Sequence, residues 1–199
     1  NNILIPGILQ LMIFLVTVFS IGSEIKFATS HEWLRVGNNS VLVSLAGKLL
    51  PHTLIFTLVG LLACSLLYGF NAFPLQSGWM PMLANIFLLV LASQAVGVFM
   101  IGVLPTLRLG LSFASLFGMI TFSIVGLSFP VSEMHPTLQA LANLFPLRHY
   151  FLIYVEQALN GRELIYCWGH YVALMAFMIL PFLIARNLKH ALLYFKYIP

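Results

Sequence analysis

The sequence predicts an all-α membrane protein, a polytopic bundle of helices that cross a lipid bilayer several times. Of its 199 residues, 61% are hydrophobic and only 7% are charged, whereas an ordinary soluble domain has about 25% charged residues. No charged residue occurs between Lys48 and Arg108, and this interval is long enough for two spans of about 20 apolar residues each. These observations exclude a soluble globular protein, and the high apolar content excludes intrinsic disorder.

Five apolar segments have the length of a membrane span. They lie at about residues 3–21, 49–70, 81–104, 109–129 and 164–185. Five crossings place the two ends of the chain on opposite sides of the membrane. We therefore expect residues 1–199 to form one membrane domain.

The basic residues predict the orientation of these spans. If the loop 24–48, the turn 105–108 and the tail from Arg186 share one side, that side holds seven of the nine Lys and Arg residues. Cytoplasmic loops carry the excess of Lys and Arg, so we expect this side in the cytoplasm of a bacterium and residue 1 outside its inner membrane. That placement is unusual without a signal peptide, and we therefore expect an earlier span before residue 1. The net charge of +4 is too dispersed for a nucleic-acid-binding face.

The loop after the first span is expected to contain a short helix. Thr29 and Glu32 have the spacing of a capping box, in which the hydroxyl and the carboxylate bond each other's backbone amides. Gly37 is a typical stop residue. The pattern predicts a helix of about two turns over residues 31–36, because a helical turn takes 3.6 residues.

This helix would present Trp33 and Leu34 beside Glu32 and Arg35. Such a mixed apolar and charged surface suits docking of a cytoplasmic protein partner. The alternative is an amphipathic segment that lies on the membrane surface.

The segment 129–163 has the pattern of two further short helices. Apolar residues between 138 and 145 follow helical spacing, and a second helix over Leu147–Asn160 would end at Gly161. Neither piece is long enough to cross a bilayer, yet both are too apolar for a solvated loop. We therefore expect a re-entrant helical hairpin that dips into the outer leaflet, where helices satisfy the backbone.

Arg148 and Glu156 are eight residues apart, close to one face of the second hairpin helix. They are expected to share a polar network at the membrane interface. A plain interfacial ion pair is the simpler alternative to a contact with substrate.

Three near-matches to catalytic motifs each lack a residue that the chemistry requires. Gly47-Lys48 has no glycine-rich loop before it to hold phosphates. Segment 31–35 begins like a zinc-protease helix, but Arg35 stands where the second histidine ligand must be. Segment 110–114 is close to a nucleophile elbow, but the chain has no Asp to orient a base. We expect no catalytic residue, no metal site and no cofactor bound by this chain.

The spans contain few polar groups. No Glu, Lys or Arg lies at the expected midplane of a span, so a proton- or sodium-driven pump lacks an obvious coupling residue. Asn85, Ser93 and Gln94 are expected to form hydrogen bonds between helices. The small-residue pairs that would permit close helix approach are Ser93 with Gly97 and Ala114 with Gly118.

Several short motifs occur in a characteristic order. They are Glu-Ile-Lys-x-Ala-Thr-Ser-x-Glu-Trp-Leu at 24–34, Gly-Lys-Leu-Leu-Pro at 47–51, Phe-Pro-Val-Ser-Glu-Met-His-Pro at 129–136, Leu-Phe-Pro-Leu-Arg-His-Tyr-Phe at 144–151, and Gly161. Because these motifs occur in this order and at these separations, the sequence resembles, over nearly its whole length, the permease subunit of an ABC transporter of the type-2 exporter class.

The resemblance implies that a separate ATPase subunit binds ATP and Mg and docks at a coupling helix of this chain. The residues assigned to that helix and its start are Thr29, Glu32, Trp33, Leu34 and Arg35. ATP-driven closure of the partner would push this helix and open an outward path for substrate, with no bond in the substrate broken.

The resemblance also implies a pair of permeases, from two copies or a copy and a paralogue, with the outer hairpin capping the exit path. The hairpin residues assigned to this gate are Pro146, Arg148, Tyr150, Glu156 and Gly161. An extracytoplasmic domain before residue 1 and a periplasmic adaptor are further expectations from the resemblance. An ion-coupled secondary transporter and a non-transporting membrane scaffold remain alternatives, and drugs, lipids and envelope precursors remain open as substrates.

Overall fold

The computed structural model describes residues 4–70, 75–126 and 133–194, and within these ranges every regular element is helical. The helices are α1 Leu4–Lys26, α2 Ser30–Val36, α3 Val41–Cys64, α4 Trp79–Val103, α5 Leu107–Ile124, α6 Pro136–Ala142, α7 Pro146–Ile153, α8 Leu164–Phe177 and α9 Leu180–Tyr194. Two of them, α3 and α7, continue into a wider π-helical turn, over Ser65–Phe70 and Tyr154–Leu159 respectively. The all-α prediction is therefore confirmed.

Five helical stretches are long and apolar enough to cross a membrane, which makes the chain a multi-pass membrane protein. They are Leu4–Lys26, Val41–Gly69, Trp79–Val103, Leu107–Ile124 and the pair α8 and α9 together, Leu164–Tyr194. All five overlap the predicted spans. The predicted end of the fourth span, at residue 129, lies outside the described residues.

Two of these stretches extend at least eight residues beyond the predicted spans. The helix α3 begins at Val41 and passes through Pro51, although proline removes one backbone hydrogen bond. Near Pro181, which has no amide hydrogen, the chain turns between α8 and α9 and then continues as helix to Tyr194. Both extensions contain basic residues, Lys48 in α3 and Arg186 with Lys189 in α9, which bounded the apolar runs used for the prediction.

The most buried helix, α4, lies at the centre of the bundle and packs against α1, α3, α5, α7, α8 and α9. The close packing of α1 depends on glycine. Gly97 of α4 faces Thr17, and Gly118 of α5 faces Leu11, both on α1. The predicted small-residue positions therefore lie where helices approach each other most closely.

The bundle has two distinct ends. At the α2 end, the last turns of α1, α4 and α9 meet α2 and the start of α3, and Lys189 Nζ donates to the Asn39 carbonyl at 3.0 Å. At the hairpin end, α6 and α7 pack against α5, α4 and α8. The two sites expected from the sequence are therefore at opposite ends of the bundle.

The predicted hairpin of two short helices is present as α6 and α7, and Phe145 at its turn packs into the bundle, whereas Leu144 beside it is 58% exposed. The ring of Phe145 is 4.6 Å from the ring of Phe117, centre to centre. Phe117 is seven residues before the end of α5, which corresponds to about 10 Å along a helix. Leu138 and Leu141 are exposed, so α6 buries less of its apolar face in this chain than its spacing suggested.

Candidate functional site

The short helix α2 is anchored to the bundle by Ser30 at its start and by the side chain of Leu34. It begins at Ser30, one residue earlier than predicted, and ends at Val36. The hydroxyl of Ser30 donates to the Leu192 carbonyl of α9 at 2.5 Å, and Leu34 packs into the core with 2% of its surface exposed. The expectation that Leu34 is presented to a partner is therefore wrong, because this side chain supplies the apolar contact that fixes α2.

The predicted capping box does not form. The Thr29 side chain makes no bond to the helix backbone, and its hydroxyl donates instead to the carboxylate of Glu24. Ala28 has a left-handed conformation, with φ of 57°, and the resulting turn brings Thr29 back beside the end of α1. Glu32 is exposed.

Glu24 is the centre of a cluster that we call the anchor cluster, formed by Glu24, Thr29, Trp33 and Lys48. Its carboxylate accepts hydrogen bonds from Thr29 and from the Lys48 ammonium, and both charged side chains are largely buried. The Lys48 ammonium also lies 4.9 Å from the centre of the Trp33 ring, a cation–π geometry. The anchor cluster therefore ties α1, α2 and α3 together.

Gly37 is the C-cap of α2, which ends at Val36 as predicted, but the left-handed turn does not lie at the glycine. Its φ is −85°, whereas Asn38 and Asn39 adopt the left-handed conformation, with φ of 55° and 59°. A Cβ atom at Gly37 would overlap the hydroxyl of Ser44 in α3. The two asparagines therefore make the turn, and the glycine permits close contact between α2 and α3.

The side chains that α2 turns away from the bundle form an exposed face, and together with the exposed Phe27, which precedes the helix, we call this face the α2 surface. It consists of Phe27, His31, Glu32, Arg35 and Val36. Two of these residues, Phe27 and Val36, are apolar, yet their side chains are 67% and 89% exposed. The sequence analysis missed both residues, because only the position of the bundle decides which apolar side chain near α2 faces inward. Of the predicted docking residues, Glu32 and Arg35 belong to this surface, and Trp33 is half-buried.

The second predicted site, on the hairpin, is more buried than expected. Pro146 and Tyr150 are buried, and Asn85 Nδ2 of α4 donates to the Tyr150 carbonyl at 3.2 Å. Gly161 ends the second hairpin helix as predicted, with φ of 63°. In this chain Pro146 and Tyr150 hold the hairpin in the bundle.

The expected network between Arg148 and Glu156 is wrong. Arg148 Nη1 donates to the Val125 carbonyl at the end of α5, at 3.1 Å, and Glu156 pairs with Arg162 at 2.8 Å. The chain turns back at Gly161, and the Arg162 amide donates to the Glu156 carbonyl at 2.9 Å, which places the Arg162 side chain beside the Glu156 carboxylate. Burial lowers the pKa of Arg148.

A pair of histidines connects the hairpin to α8. His149 Nε2 lies 3.0 Å from the Asn143 carbonyl, and His149 Nδ1 lies 3.3 Å from His170 Nδ1. Because a carbonyl only accepts, Nε2 carries the hydrogen in this arrangement and donates it to Asn143. Nδ1 of neutral His149 then accepts from His170, and protonation of both rings would place two N–H donors against each other.

Acidification is expected to weaken this contact. Burial lowers the pKa of His149 below its ordinary value of 6.5. Between the lowered and the ordinary pKa the unfolded chain binds more protons than the folded chain, so stability falls as the pH drops through that window. We expect the wild-type unfolding midpoint to decrease between about pH 7.5 and about pH 5.5, and His149→Gln to show a smaller decrease.

The matched control for this experiment is His135→Gln, which changes an exposed histidine at the start of α6. It should keep the pH dependence of the wild type. The assignment to His149 is refuted if the two variants respond to pH alike.

Two of the three polar residues that we expected to link helices do so. Thr53 donates to Gln94 Oε1 at 2.8 Å, which joins α3 and α4, and Asn85 bonds the hairpin. Ser93 donates to Leu89 within its own helix. Within the described residues no group of three or more His, Cys, Asp or Glu side chains could hold a metal ion.

The geometry fits the family that the sequence comparison identifies. The family model described as ABC-2 family transporter protein matches residues 1–186. No curated protein and no solved structure matches this chain. Since the match covers nearly the whole chain and the structure contains five membrane-length helices, the chain belongs to the ABC-2 transporter family and is a membrane-embedded permease component.

Proposed function

We propose that this chain is the transmembrane permease of an ATP-driven exporter in a bacterial inner membrane, moved by a separate ATPase subunit that docks at the α2 surface. The α2 end then lies in the cytoplasm, and the hairpin end faces outward. ATP and Mg bind to the partner. The observation that carries this proposal is the combination of a firmly anchored α2 with an exposed face.

The anchoring of α2 supports a role in force transmission. α2 is tied to α1 and α3 by the anchor cluster and to α9 by the hydrogen bond from Ser30 to Leu192. A displacement of α2 would therefore act at once on the membrane-length helices α1 and α3 and on α9, the second part of the fifth span. A segment that only rested on a lipid surface would not need contacts to all of them.

The composition of the α2 surface favours a protein partner over lipid. An interfacial helix buries its apolar face in lipid and carries Lys and Arg on the polar face. In α2 the apolar Leu34 faces the protein, and the outward side combines Val36 with both Glu32 and Arg35. Apolar side chains beside charges of both signs are suited to a protein interface with a polar rim.

A second permease is the expected neighbour at the groove between α1 and α5. Its lining consists of Leu15, Val16, Phe19, Leu111, Ser112 and Ser115. Small hydroxyl residues on an otherwise apolar membrane surface permit close approach of another helix. The substrate path would run between two such faces, with the hairpin at its outer end.

Docking of the ATPase is tested by Val36→Asp. We expect at least tenfold less ATPase subunit to co-purify with the tagged chain from membranes, because the interface would bury an unpaired carboxylate. The amount of ATPase per permease is measured by mass spectrometry, and gel filtration checks that the permease is folded.

The control is Asn38→Asp, which adds the same charge at an exposed position outside the α2 surface. Asp tolerates the left-handed backbone that this position adopts. It should leave the amount of ATPase unchanged. Normal recovery of the ATPase with Val36→Asp would overturn docking at the α2 surface.

A further inference from the structure

A cavity of about 480 Å³ lies between α4, α5, α8 and the turn of the hairpin. α4 forms its back wall with Phe99, α5 contributes Phe113 and Phe117, and α8 contributes Ala173 and Ala176. α4 packs against both α5 and α8, whereas the described parts of α5 and α8 make few contacts with each other. The cavity therefore opens sideways between α5 and α8, toward the surroundings of the bundle.

The lining offers no charge to a ligand. Among the described residues that border the cavity, only Asn143 and His149 have polar side chains. Both ring nitrogens of His149 are already engaged, by the Asn143 carbonyl and by His170. The Asn143 amide group donates to the Gln139 carbonyl. A charged ligand would lose its hydration here without gaining a partner, which is costly.

The size and shape of the cavity favour an occupant. Sites for small molecules typically have volumes of about 300–1,000 Å³ and mostly apolar walls. Protein interiors are otherwise close-packed, and unfilled apolar space costs stability. An open apolar space of this volume, walled by phenylalanine rings and small alanines, is therefore suited to a hydrocarbon body.

We propose that this cavity binds an uncharged lipophilic molecule that enters from the bilayer between α5 and α8. The hydrocarbon body lies against Phe99, Phe113 and Phe117, and Ala173 and Ala176 leave the space that it occupies. Two sources offer this chemistry, the acyl chain of a membrane lipid and a free lipophilic compound. Binding needs no ATPase, so this inference stands apart from the proposed coupling mechanism.

The test uses photolabelling of the full chain, without an ATPase, in phosphatidylcholine nanodiscs. One arm uses phosphatidylcholine with a diazirine in its acyl chain, and the other uses an uncharged alkylbenzene diazirine. We expect labels on the α5 and α8 residues that line the cavity. The double variant Ala173→Phe and Ala176→Phe fills the space and should lower this labelling at least fivefold, as read by mass spectrometry.

Two further variants keep the experiment decisive. Ala185→Phe makes the same change on the half-exposed surface of α9, away from the cavity, and should label like the wild type. If the double variant fails gel filtration, the milder Ala176→Leu replaces it, with an expected reduction of about twofold.

The two labelling arms distinguish a lipid acyl chain from a free lipophilic compound, and the variants show whether the cavity binds either of them. Labelling by the phospholipid alone identifies an acyl chain, and labelling by the alkylbenzene identifies a free lipophilic compound; both support the site. The proposal is overturned if filling the cavity leaves labelling unchanged, or if labels fall only on the exposed face of α3. Efficient cross-linking of Ala176→Cys between two copies of the chain would also overturn it, because a second copy would then cover the opening.

Discussion

Replacing Gly97 with alanine is expected to destabilise the bundle by about 1–3 kcal/mol, the usual cost of overpacking a well-packed interior. A Cβ atom at this position would lie 2.9 Å from Cβ and 3.0 Å from Cγ2 of Thr17. Thr17 is buried and β-branched, so its side chain has little rotational freedom to move away. The variant would force α1 and α4 apart at the centre of the fold, and the thermal unfolding midpoint of the purified chain measures the effect.

The sequence provides a matched control at Gly169 in α8. An added Cβ there meets no atom within 4 Å. Gly169→Ala should therefore be neutral or stabilise the chain by roughly 0.5–1 kcal/mol, through the lower entropy of alanine in the unfolded state. Similar losses of stability at both positions would show that the contact with Thr17 is not the cause.

Removing the Glu24 carboxylate is expected to have the largest effect on coupling. Glu24→Gln weakens the hydrogen bonds to Thr29 and Lys48 and leaves the largely buried Lys48 ammonium without its counter-charge. The loss of a hydrogen bond to a charged group costs about 1.5–3 kcal/mol. Since these contacts join α2 to α1 and α3, we expect the ATPase still to bind while the permease loses most of its influence on the ATPase rate.

The measurement compares ATPase binding with the change in ATP hydrolysis when permease is added. Lys48→Met should act like Glu24→Gln, and the double variant should lose less stability than the sum of the two single changes, because the two residues share one interaction. A fully additive double variant would contradict the anchor cluster. If binding and stimulation fall together, the contacts serve docking and not transmission.

The resemblance and the structure agree on architecture but differ on individual site residues. Span number follows from the length of apolar runs, which is a local property, and all five stretches overlap their predictions. The small residues Gly97 and Gly118 also lie where they were expected, against α1. By contrast, Leu34 is a core residue and Val36 is exposed, although both are apolar and lie on the same short helix.

In the spans, the membrane environment limits what the sequence reveals about burial. In a soluble helix the apolar stripe marks the buried side, but the helices of this chain are apolar toward the protein and toward lipid alike. Helix α3, for example, crosses with most of its apolar residues exposed, whereas α4 is almost wholly buried. The sequence therefore does not show which side chains of a span meet another helix.

Polar partners were the least predictable feature, because several acceptors compete for each donor. Thr29 stands at the right position to cap α2 with its hydroxyl, yet the turn at Ala28 places that hydroxyl beside the carboxylate of Glu24. Arg148 donates to a backbone carbonyl at the end of α5, and the turn at Gly161 places Arg162 beside Glu156. Each of these choices depends on distances that only the assembled helices set.

The sequence by itself determined the membrane class, the number of spans, the short helix after the first span, the hairpin and the family motifs. These features depend on composition, run length and turn residues, which act over a few neighbouring positions. The tertiary structure alone decided which side of α2 is exposed, how the anchor cluster joins three helices, and where the cavity between α5 and α8 lies. Those properties arise from contacts between residues far apart in the chain, whose energies depend on packing and not on local sequence.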